Sequence, residues 1–428
     1  MIDIRTLRDD PRAVATALAR RGVDPDAVEA LRRLDEERRA LVTRGDELRA
    51  RQRQRSRQIG AAAPAERAGL IDEVRQVSAE LGKLEPAQAE AEQRLAAALA
   101  RIPNLPHPAV PDGVSEEDAV EVGRFGEPPR LDFPVRDHVE IGERLGLIDI
   151  PRAVKVSGSR FAYLLGDAVW LELALVRFAL DRLAAAGFTP VVPPVLTREE
   201  ALFGSAFLPG GADQLYRVPH DDLYLVGTSE VPLAGMHMDE ILPLEDLPLR
   251  YAGFSTCFRR EAGTYGKDTR GIFRVHQFDK VEMFSFAHPA DSEAEHERLR
   301  ELQVGILTAL GLHGRVVDIA AGDLGDPAAR KYDCEVWLPG QGAYRELTSA
   351  SNCTDYQARR LRCRYRTPEG DTAMVHTLNG TACAVGRTII ALLETHQRAD
   401  GTVTVPDALR PYLGRASLGD GAERGTPR

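Results

Sequence analysis

The 428-residue sequence has few cysteines, few aromatic residues and no long apolar run. Its cysteines are Cys257, Cys334, Cys353, Cys363 and Cys383. None belongs to a CxxC pair, which excludes the usual zinc-site spacing, and so few cysteines are typical of a reduced, intracellular chain. The start MIDIRTLRDD lacks an apolar signal core, and no run approaches the roughly 18 apolar residues of a membrane helix. We therefore expect a cytoplasmic protein, with no zinc and no membrane partner.

The sequence also lacks an overall positive charge. Its formal net charge is -10, which excludes a general polyanion binder and leaves only a local basic patch as a nucleic-acid surface. One such patch is a run of arginines, Arg44, Arg49, Arg51, Arg53, Arg55 and Arg57. Arginines on a thin rod can contact an RNA backbone. A solvated, self-paired helix face explains the same run, and both interpretations stay open.

Two long helical segments occupy the first quarter of the chain. Between residues 70 and 102 the apolar positions step by four and three, which predicts a coiled-coil helix. A weaker seam precedes it, and the Gly- and Pro-containing stretch 60–64 lies between the two. We predict an antiparallel helical hairpin over about 27–102, within an arm formed by residues 1–103. Gly45, Pro86 and Gln88 interrupt the pattern.

A proline-rich linker follows the arm, because residues 103–111 contain four prolines that cannot continue a helix. Residues 104–415 then alternate helical runs, such as 170–186 and 292–310, with strand-like runs, such as 274–285 and 374–378. This order predicts an α+β domain with a central antiparallel sheet flanked by helices. The Gly-rich tail 416–428 is expected to be disordered.

The stretch from Cys257 to Glu282 contains the strongest candidates for chemistry. In CFRRE, strand alternation would put Arg259 and Glu261 on one face, where an arginine can clamp a phosphate and a carboxylate can accept from an adenine amine. Arg270 and Arg274 follow a Gly-containing loop and can reach outer phosphates. Alone, such a motif is more often a surface salt bridge.

Three further stretches share this polar character. Residues 378–388 read LNGTACAVGRT and place an arginine at a helix start, where phosphates bind readily. Residues 227–232 read GTSEVP, and residues 344–352 read YRELTSASN. Each alone fits an ordinary turn, helix cap or ion pair. Together, in this order and with these separations, the stretches are no longer well explained by such ordinary local features.

These motifs resemble those of the seryl-tRNA synthetase family, a branch of the class II aminoacyl-tRNA synthetases. The resemblance covers about residues 1–415 and includes the start MIDIRTLRDDP, the linker PNLPHPAVPDG, VSGSRF at 156–161, and the stretches 258–284, 332–360 and 376–388. It implies a class II catalytic domain. Residues 170–194 resemble its dimer-forming motif 1, the Arg259 stretch its motif 2 and the Arg387 stretch its motif 3.

The resemblance also implies an activity and a role for individual residues. The chain would activate L-serine with ATP and Mg²⁺ and load it onto tRNA(Ser), and onto selenocysteine tRNA where present, as a homodimer whose arm grips the tRNA. Catalysis would depend on Arg259, Glu346 and Arg387. ATP would contact Arg259, Arg260, Glu261, Arg274, Val275, Phe278, Glu346, Leu347, Thr348, Ser349 and Arg387. Serine would contact Thr228, Ser229, Glu230, Arg259, Glu282 and Thr381, and Mg²⁺ would contact Glu346 and Ser349.

Other functions remain compatible with the sequence. A synthetase-like ligase that loads a carrier protein would share the catalytic motifs, although such relatives lack the arm. A non-catalytic paralogue would bind RNA only, which the retained arginines and carboxylates disfavour. A specialised second copy of the enzyme is a further alternative. Residues 203–211 read FGSAFLPGG where relatives more often have GTGxLPKF, so the behaviour of this loop is an open question.

Overall fold

The computed structural model describes residues 1–263, 266, 268 and 270–419. They form two compact units that divide after Leu105. The first unit is entirely helical, and its helices are α1 Ile4–Asp9, α2 Pro11–Ala19, α3 Pro25–Ala61 and α4 Pro64–Leu99. The long pair α3 and α4 confirms the predicted hairpin, with its turn at residues 62–63. None of the helices in the described part of the chain combines the length and apolarity of a membrane span.

Apolar side chains of α3 and α4 pack along their shared seam. Leu48 on α3 forms a buried cluster with Val77 and Leu81 on α4. At the base, Asp35 is almost fully buried and accepts a bidentate pair of hydrogen bonds from Arg8 at 2.7 and 2.6 Å. Because the arginine holds the carboxylate in its charged form, the pKa of Asp35 is lowered. This ion pair fastens α1 to the start of the hairpin.

The three interruptions of the apolar pattern are accommodated inside the helices. Gln88 on α4 reaches α3 and donates a hydrogen bond of 2.7 Å to the carbonyl oxygen of Leu41. Gly45 makes room for it, since a methyl group at that position would overlap the Gln88 amide. Helix α4 continues through Pro86.

The second unit is mixed α/β. Its helices are α5 His138–Arg144, α6 Ile150–Ser157, α7 Asp167–Ala185, α8 Glu199–Gly204, α9 Glu230–Gly235, α10 Ser292–Ala309, α11 Tyr356–Leu361, α12 Val385–Thr395 and α13 Arg410–Leu413. Its strands are β1 Val120–Phe125, β2 Ile148–Asp149, β3 Tyr163–Leu164, β4 Thr189–Val191, β5 Leu196–Thr197, β6 Tyr216–Val218, β7 Leu223–Leu225, β8 Ile241–Leu242, β9 Leu249–Phe258, β10 Gln277–Ala287, β11 Gly314–Asp318, β12 Arg330–Leu338, β13 Ala343–Asn352, β14 Arg364–Arg366, β15 Thr372–Met374, β16 His376–Ala384, β17 Val403–Thr404 and β18 Ser417–Leu418.

An eight-stranded sheet forms the centre of this unit, in the order β1-β11-β12-β13-β16-β10-β9-β4. Its strands pair antiparallel except β4, which joins β9 in parallel. Helices α7, α10 and α12 contribute buried residues such as Leu175, Leu299 and Ile389 to one apolar core with the sheet. The predicted α+β class and central antiparallel sheet are confirmed.

Several predicted boundaries differ from those in the structure. The strand expected from Arg274 begins at Gln277. The tail was predicted to be disordered from residue 416, yet Ser417 and Leu418 form β18, which pairs antiparallel with β17. Leu418 is buried in the main core, which explains why this short segment is ordered. The remainder of the predicted tail, residues 420–428, lies outside the described residues.

Candidate active site

A cavity of about 720 Å³ opens on the second unit where the central strands of the sheet meet the segments before β6 and after β9. Most of the residues singled out from the sequence line it. They are Thr228, Glu230, Arg259, Glu261, Arg274, Val275, Phe278, Glu282, Glu346, Leu347, Ser349, Thr381 and Arg387. Four sequence stretches separated by up to about 160 residues therefore share one cavity.

A β-bulge explains how Glu346 and Ser349 come to face the same cavity. Residues three apart on a regular strand point to opposite faces. In the β12–β13 ladder, however, Thr348 pairs with Cys334 and Glu346 pairs with Glu335, so Leu347 is an extra residue on β13. The bulge reverses the alternation at this point. As a result a carboxylate and a hydroxyl line the same wall.

A second bulge brings together the acid and hydroxyl expected at the serine pocket. On β10 and β16, Val281 pairs with Cys383 but Glu282 pairs with Thr381, which leaves Ala382 unpaired. Glu282 and Thr381 are both buried and directly opposite each other. The Thr381 hydroxyl donates a hydrogen bond of 3.1 Å to Glu282 Oε2.

Arg259 and Glu261 share the cavity, but strand alternation is not the reason. Strand β9 ends at Phe258, and Glu261 has a left-handed backbone with a φ of 51°. Arg259 Nε donates to the carbonyl oxygen of Gly227 at 3.1 Å, and its guanidinium lies 5.4 Å from the centre of the Phe278 ring. Glu261 accepts a hydrogen bond of 2.8 Å from Arg274. A turn beyond the strand, rather than the strand itself, directs both side chains inward.

Arg387 and Glu346 meet at the far side of the cavity. Arg387 Nη1 donates to the Glu346 carbonyl oxygen at 2.8 Å and lies 3.6 Å from its carboxylate. Desolvation opposes ionisation of Glu346, but the charges of Arg387, Lys331 and Arg259 outweigh it and lower the pKa of this carboxyl to about 2. Glu346 is therefore anionic at every pH at which the protein is expected to work.

The surroundings of Glu230 raise the pKa of its carboxyl, whereas those of Glu346 lower it. Glu230 lies in the first turn of α9, is buried, and accepts hydrogen bonds from Gln357 at 2.8 Å and Asn379 at 3.1 Å. Burial raises the pKa of its carboxyl to about 7, and the negative charge of Glu282 adds to the rise. A cation placed beside Glu230 and Glu282 would be strongly favoured.

Four residues expected near the substrates do not line the cavity. Arg270, expected to reach the outer phosphates, is exposed and pairs with Asp137 at 2.7 Å. Ser229 is fully buried and its hydroxyl lies 2.8 Å from that of Ser255. Arg260 is exposed, with its backbone N–H donating to the Gln214 carbonyl oxygen. Thr348 is fully buried and points away from the wall formed by Glu346 and Ser349, because the strand alternates normally between Thr348 and Ser349.

Sequence reasoning also missed cationic residues of the cavity. Lys280 lines it and lies 2.7 Å from the Glu282 carboxylate, two positions along the same strand. Because side chains two positions apart on a strand share a face, the prediction that Glu282 faces the site also implied that Lys280 does. Lys331 lines it as well and pairs with Asp333 at 3.0 Å. No local signal marks Lys331, since only the register of β12 against β13 brings it to the wall.

The arginine run on the arm divides into paired and unpaired members. Arg44 lies 3.2 Å from Glu80, Arg49 lies 3.4 Å from Asp46, and Arg51 and Arg55 share Glu73. The two remaining arginines, Arg53 and Arg57, are exposed and form no ion pair with the residues the structure describes. They are four positions apart and so lie on the same face of α3.

Comparisons with known proteins agree with this arrangement. Residues 1–106 match the seryl-tRNA synthetase N-terminal domain, and residues 216–396 match the tRNA synthetase class II core domain (G, H, P, S and T). A serine–tRNA ligase of Acidothermus cellulolyticus is 53% identical over 414 residues, which are 97% of this chain and 98% of the relative. A serine–tRNA ligase of Nocardia farcinica is equally similar, at 53% over 414 residues with the same coverage.

A solved structure of the same family has the same fold as this chain. The crystal structure of seryl-tRNA synthetase from Pyrococcus horikoshii complexed with ATP matches with a TM-score of 0.93 and 43% sequence identity, over 98% of this chain and 99% of that one. The similarity therefore spans both units as well as the cavity residues. The chain belongs to the seryl-tRNA synthetase family, the serine–tRNA ligases among the ATP-dependent class II aminoacyl-tRNA synthetases.

Proposed function

We propose that the cavity binds ATP and L-serine side by side, forms seryl-adenylate, and then transfers the seryl group to tRNA(Ser). The observation that carries this proposal is the meeting of Arg259, Arg274 and Arg387 with Glu346 in one cavity. The Pyrococcus horikoshii relative was crystallised in complex with ATP, which supports ATP as a substrate of this chain.

The proposed reaction explains why the cavity is rich in cations. A serine carboxylate oxygen attacks the α-phosphorus of ATP, and pyrophosphate leaves. A terminal tRNA hydroxyl then attacks the seryl carbonyl, and AMP leaves. Both partners of the first step are anions, so fixed positive charges must screen their repulsion and align the attack. Arginines and lysines held by the sheet supply this charge without reorganising.

We assign each residue that lines the cavity the substrate contact expected from its family resemblance. Arg259 would contact the α-phosphate and the serine carboxylate, while Arg274 and Arg387 would contact the γ-phosphate. Glu261 would accept from the adenine amine, and Phe278 would stack on the ring beside the backbone of Val275. Thr228, Glu230, Glu282 and Thr381 would surround serine. Ser229, Arg260 and Thr348 are left with indirect, supporting roles.

The oxygen ligands on β13 fit a magnesium ion. Mg²⁺ prefers a few protein oxygens completed by water and substrate phosphates. Glu346 offers an ionised carboxylate and Ser349 a hydroxyl on the same wall, while no cluster of three or more His, Cys, Asp or Glu suited to a metal occurs among the described residues. We propose that these two residues hold Mg²⁺, which would supply positive charge at the phosphates.

An apolar surface on the second unit supports a homodimer. On α7 the side chains of Val169, Trp170 and Leu173 are exposed, and Val192 beyond the edge strand β4 is 81% exposed. Large adjoining apolar side chains on a surface mark association sites. We propose that these residues, within the stretch similar to motif 1, form the interface between two copies of the chain.

We propose that the arm binds tRNA(Ser), and selenocysteine tRNA where present, through the exposed arginines Arg53 and Arg57. Their guanidinium groups are available to phosphates, whereas the other arginines of the run are engaged with acids of the arm. Because charged tRNA is consumed by translation, we propose that the chain works in the cytoplasm.

The test is ATP–pyrophosphate exchange with each amino acid in turn, followed by charging of purified tRNA(Ser). Exchange with serine and formation of seryl-tRNA are expected. Exchange without tRNA charging would indicate a ligase for another acceptor, such as a carrier protein. Absence of serine-dependent exchange would refute the proposal and favour a non-catalytic protein that only binds RNA. Charging of selenocysteine tRNA is measured separately with the same preparation.

A further inference from the structure

The side chain of Gln357 on α11 is fully buried, and both its amide nitrogen and its carbonyl oxygen form hydrogen bonds, one of them to Glu230. Its Nε2 donates to Glu230 Oε1 at 2.8 Å and to the Ser205 carbonyl oxygen at 3.1 Å. Its Oε1 accepts from the Thr377 hydroxyl at 2.7 Å. If the amide were flipped, Oε1 would face two oxygen acceptors and no hydrogen bond could form there. The partners therefore fix the orientation in which Nε2 faces Glu230 and Ser205.

Strand β16 supplies the rest of this network. Thr377, Asn379 and Thr381 alternate along it and so share one face. Thr377 orients Gln357, Asn379 donates to the same Glu230 oxygen at 3.1 Å, and Thr381 bonds Glu282. One strand face therefore organises both carboxylates of the serine pocket.

Helix α11 also holds the wall segment at residues 203–208. Gln357 bonds the Ser205 carbonyl oxygen, and Arg360 Nη1 donates to the carbonyl oxygens of Phe203 at 3.1 Å and Leu208 at 2.9 Å. Ser205, Ala206 and Phe207 line the cavity. The altered loop noted in the sequence is thus held in place by backbone contacts that do not require its family-typical residues.

We propose that Gln357 is a positioning residue for serine recognition: its amide holds the Glu230 carboxylate aimed at the substrate ammonium and ties it to the 203–208 wall. The inference rests on the proposed function of the cavity. Among the groups of substrate serine only the ammonium is cationic, and it suits a buried carboxylate with a second carboxylate, Glu282, nearby.

The charge balance around Glu230 makes the amide important. Burial and Glu282 favour the protonated form, whereas the Gln357 amide and the charges of Lys280 and Arg259 favour the carboxylate, with a resulting pKa of about 7. Removing the Gln357 donor would raise the pKa of Glu230 further. Protonation would then remove the partner of the ammonium, so serine binding would weaken most at low pH and recover as the pH rises.

The experiment compares wild type, Gln357→Met and Gln397→Met in serine-dependent ATP–pyrophosphate exchange between pH 6 and 8.5. Gln397 is the matched control, because its buried amide bonds Arg136 and Glu394 and does not line the cavity. Gln357→Met should raise the KM for serine at pH 7 by about 10- to 100-fold, as expected for loss of a hydrogen bond to a charged group. The KM for ATP should stay within about twofold, and the pH midpoint should move upward.

An unchanged KM for serine, or a rise in KM that is equal for serine and ATP at every pH, overturns the inference. If Gln357→Met does not fold, Thr377→Val tests the same network, since it removes only the group that orients the amide. It should raise the serine KM by about 3- to 10-fold with the same upward pH shift, and a pH-independent result again overturns the inference. Absence of serine-dependent exchange in wild type would instead refute the proposed function.

Discussion

Thr381 and Glu282 are direct cross-strand partners, and the hydroxyl of Thr381 donates a hydrogen bond of 3.1 Å to Glu282 Oε2. Lys280 approaches the same oxygen at 2.7 Å. The carboxylate is therefore anchored from two sides before any substrate arrives. If serine binds here as proposed, such a fixed acceptor would discriminate between serine and alanine, because alanine would leave buried polar groups unpaired.

Thr381→Val keeps the shape of the side chain but removes the hydroxyl. We expect kcat/KM for serine in ATP–pyrophosphate exchange to fall about 10- to 100-fold, with the KM for ATP little changed. Thr348→Val is the control, since Thr348 is equally buried but does not line the cavity. Equal losses in the two variants would argue for a general packing effect.

Arg259→Ala should abolish serine activation, because the α-phosphate loses its clamp. The neighbouring change Arg260→Ala should leave exchange within about threefold of wild type, since this side chain is exposed and lies off the cavity wall. The pair is compared by single-turnover adenylate formation. Near-normal rates for Arg259→Ala would contradict its proposed role.

Glu346→Gln should raise the Mg²⁺ concentration needed for half-maximal exchange by at least about tenfold, because a charged ligand is lost. In wild type this concentration should not vary between pH 6 and 8, since a carboxyl with a pKa of about 2 loses its charge only when the pH falls towards that value. Glu335→Gln is the control: Glu335 pairs with Glu346 across the ladder but bonds Arg315 at 2.6 Å. A loss confined to Glu335→Gln would exclude the proposed site.

Replacing Arg53 and Arg57 together by alanine should weaken tRNA(Ser) binding and leave serine activation unchanged. The salt dependence of binding, as the slope of log K against log salt, should decrease by about 1 to 2 because each phosphate contact contributes somewhat less than 1. The double variant Arg44→Ala/Arg49→Ala, in which both arginines are ion-paired in wild type, should have a smaller effect. Filter binding at several salt concentrations measures both.

Trp170→Glu should shift the protein from dimer to monomer, because a charge would be buried in the proposed apolar interface. Sedimentation velocity at micromolar concentration measures the change. Val114→Glu, at a residue that is 78% exposed outside α7, should leave the sedimentation coefficient unaltered. A monomeric wild type would remove the basis for the proposed interface.

The hairpin and the helices of the catalytic unit could be predicted because apolar periodicity is a local signal. The 4-3 spacing placed α4 correctly, and the glycine and proline near residue 62 marked the turn. The four polar stretches were also identified locally. Their meeting in one cavity came from the family resemblance, since sheet order depends on pairings between distant strands.

Side-chain direction was harder to predict wherever the chain departs from a regular strand. Arg259 and Glu261 enter the cavity from a turn with a left-handed residue, and Glu346 reaches the side of Ser349 because of a bulge. Alternation rules fail at such points. Lys331 was missed because its position depends on long-range register, which no local pattern encodes.

The fit of Gln88 over Gly45 has a consequence for the length of the arm. A coiled coil of purely apolar residues can slide by one heptad with little loss, whereas a single polar contact across the seam permits one alignment only. A shift of one heptad would put Arg38 or Gln52 in place of Gly45 opposite Gln88, where their side chains would occupy the space of the amide, and would leave a gap at Gly45. This contact therefore fixes the register of α3 against α4, and with it the distance from the base of the arm to Arg53 and Arg57.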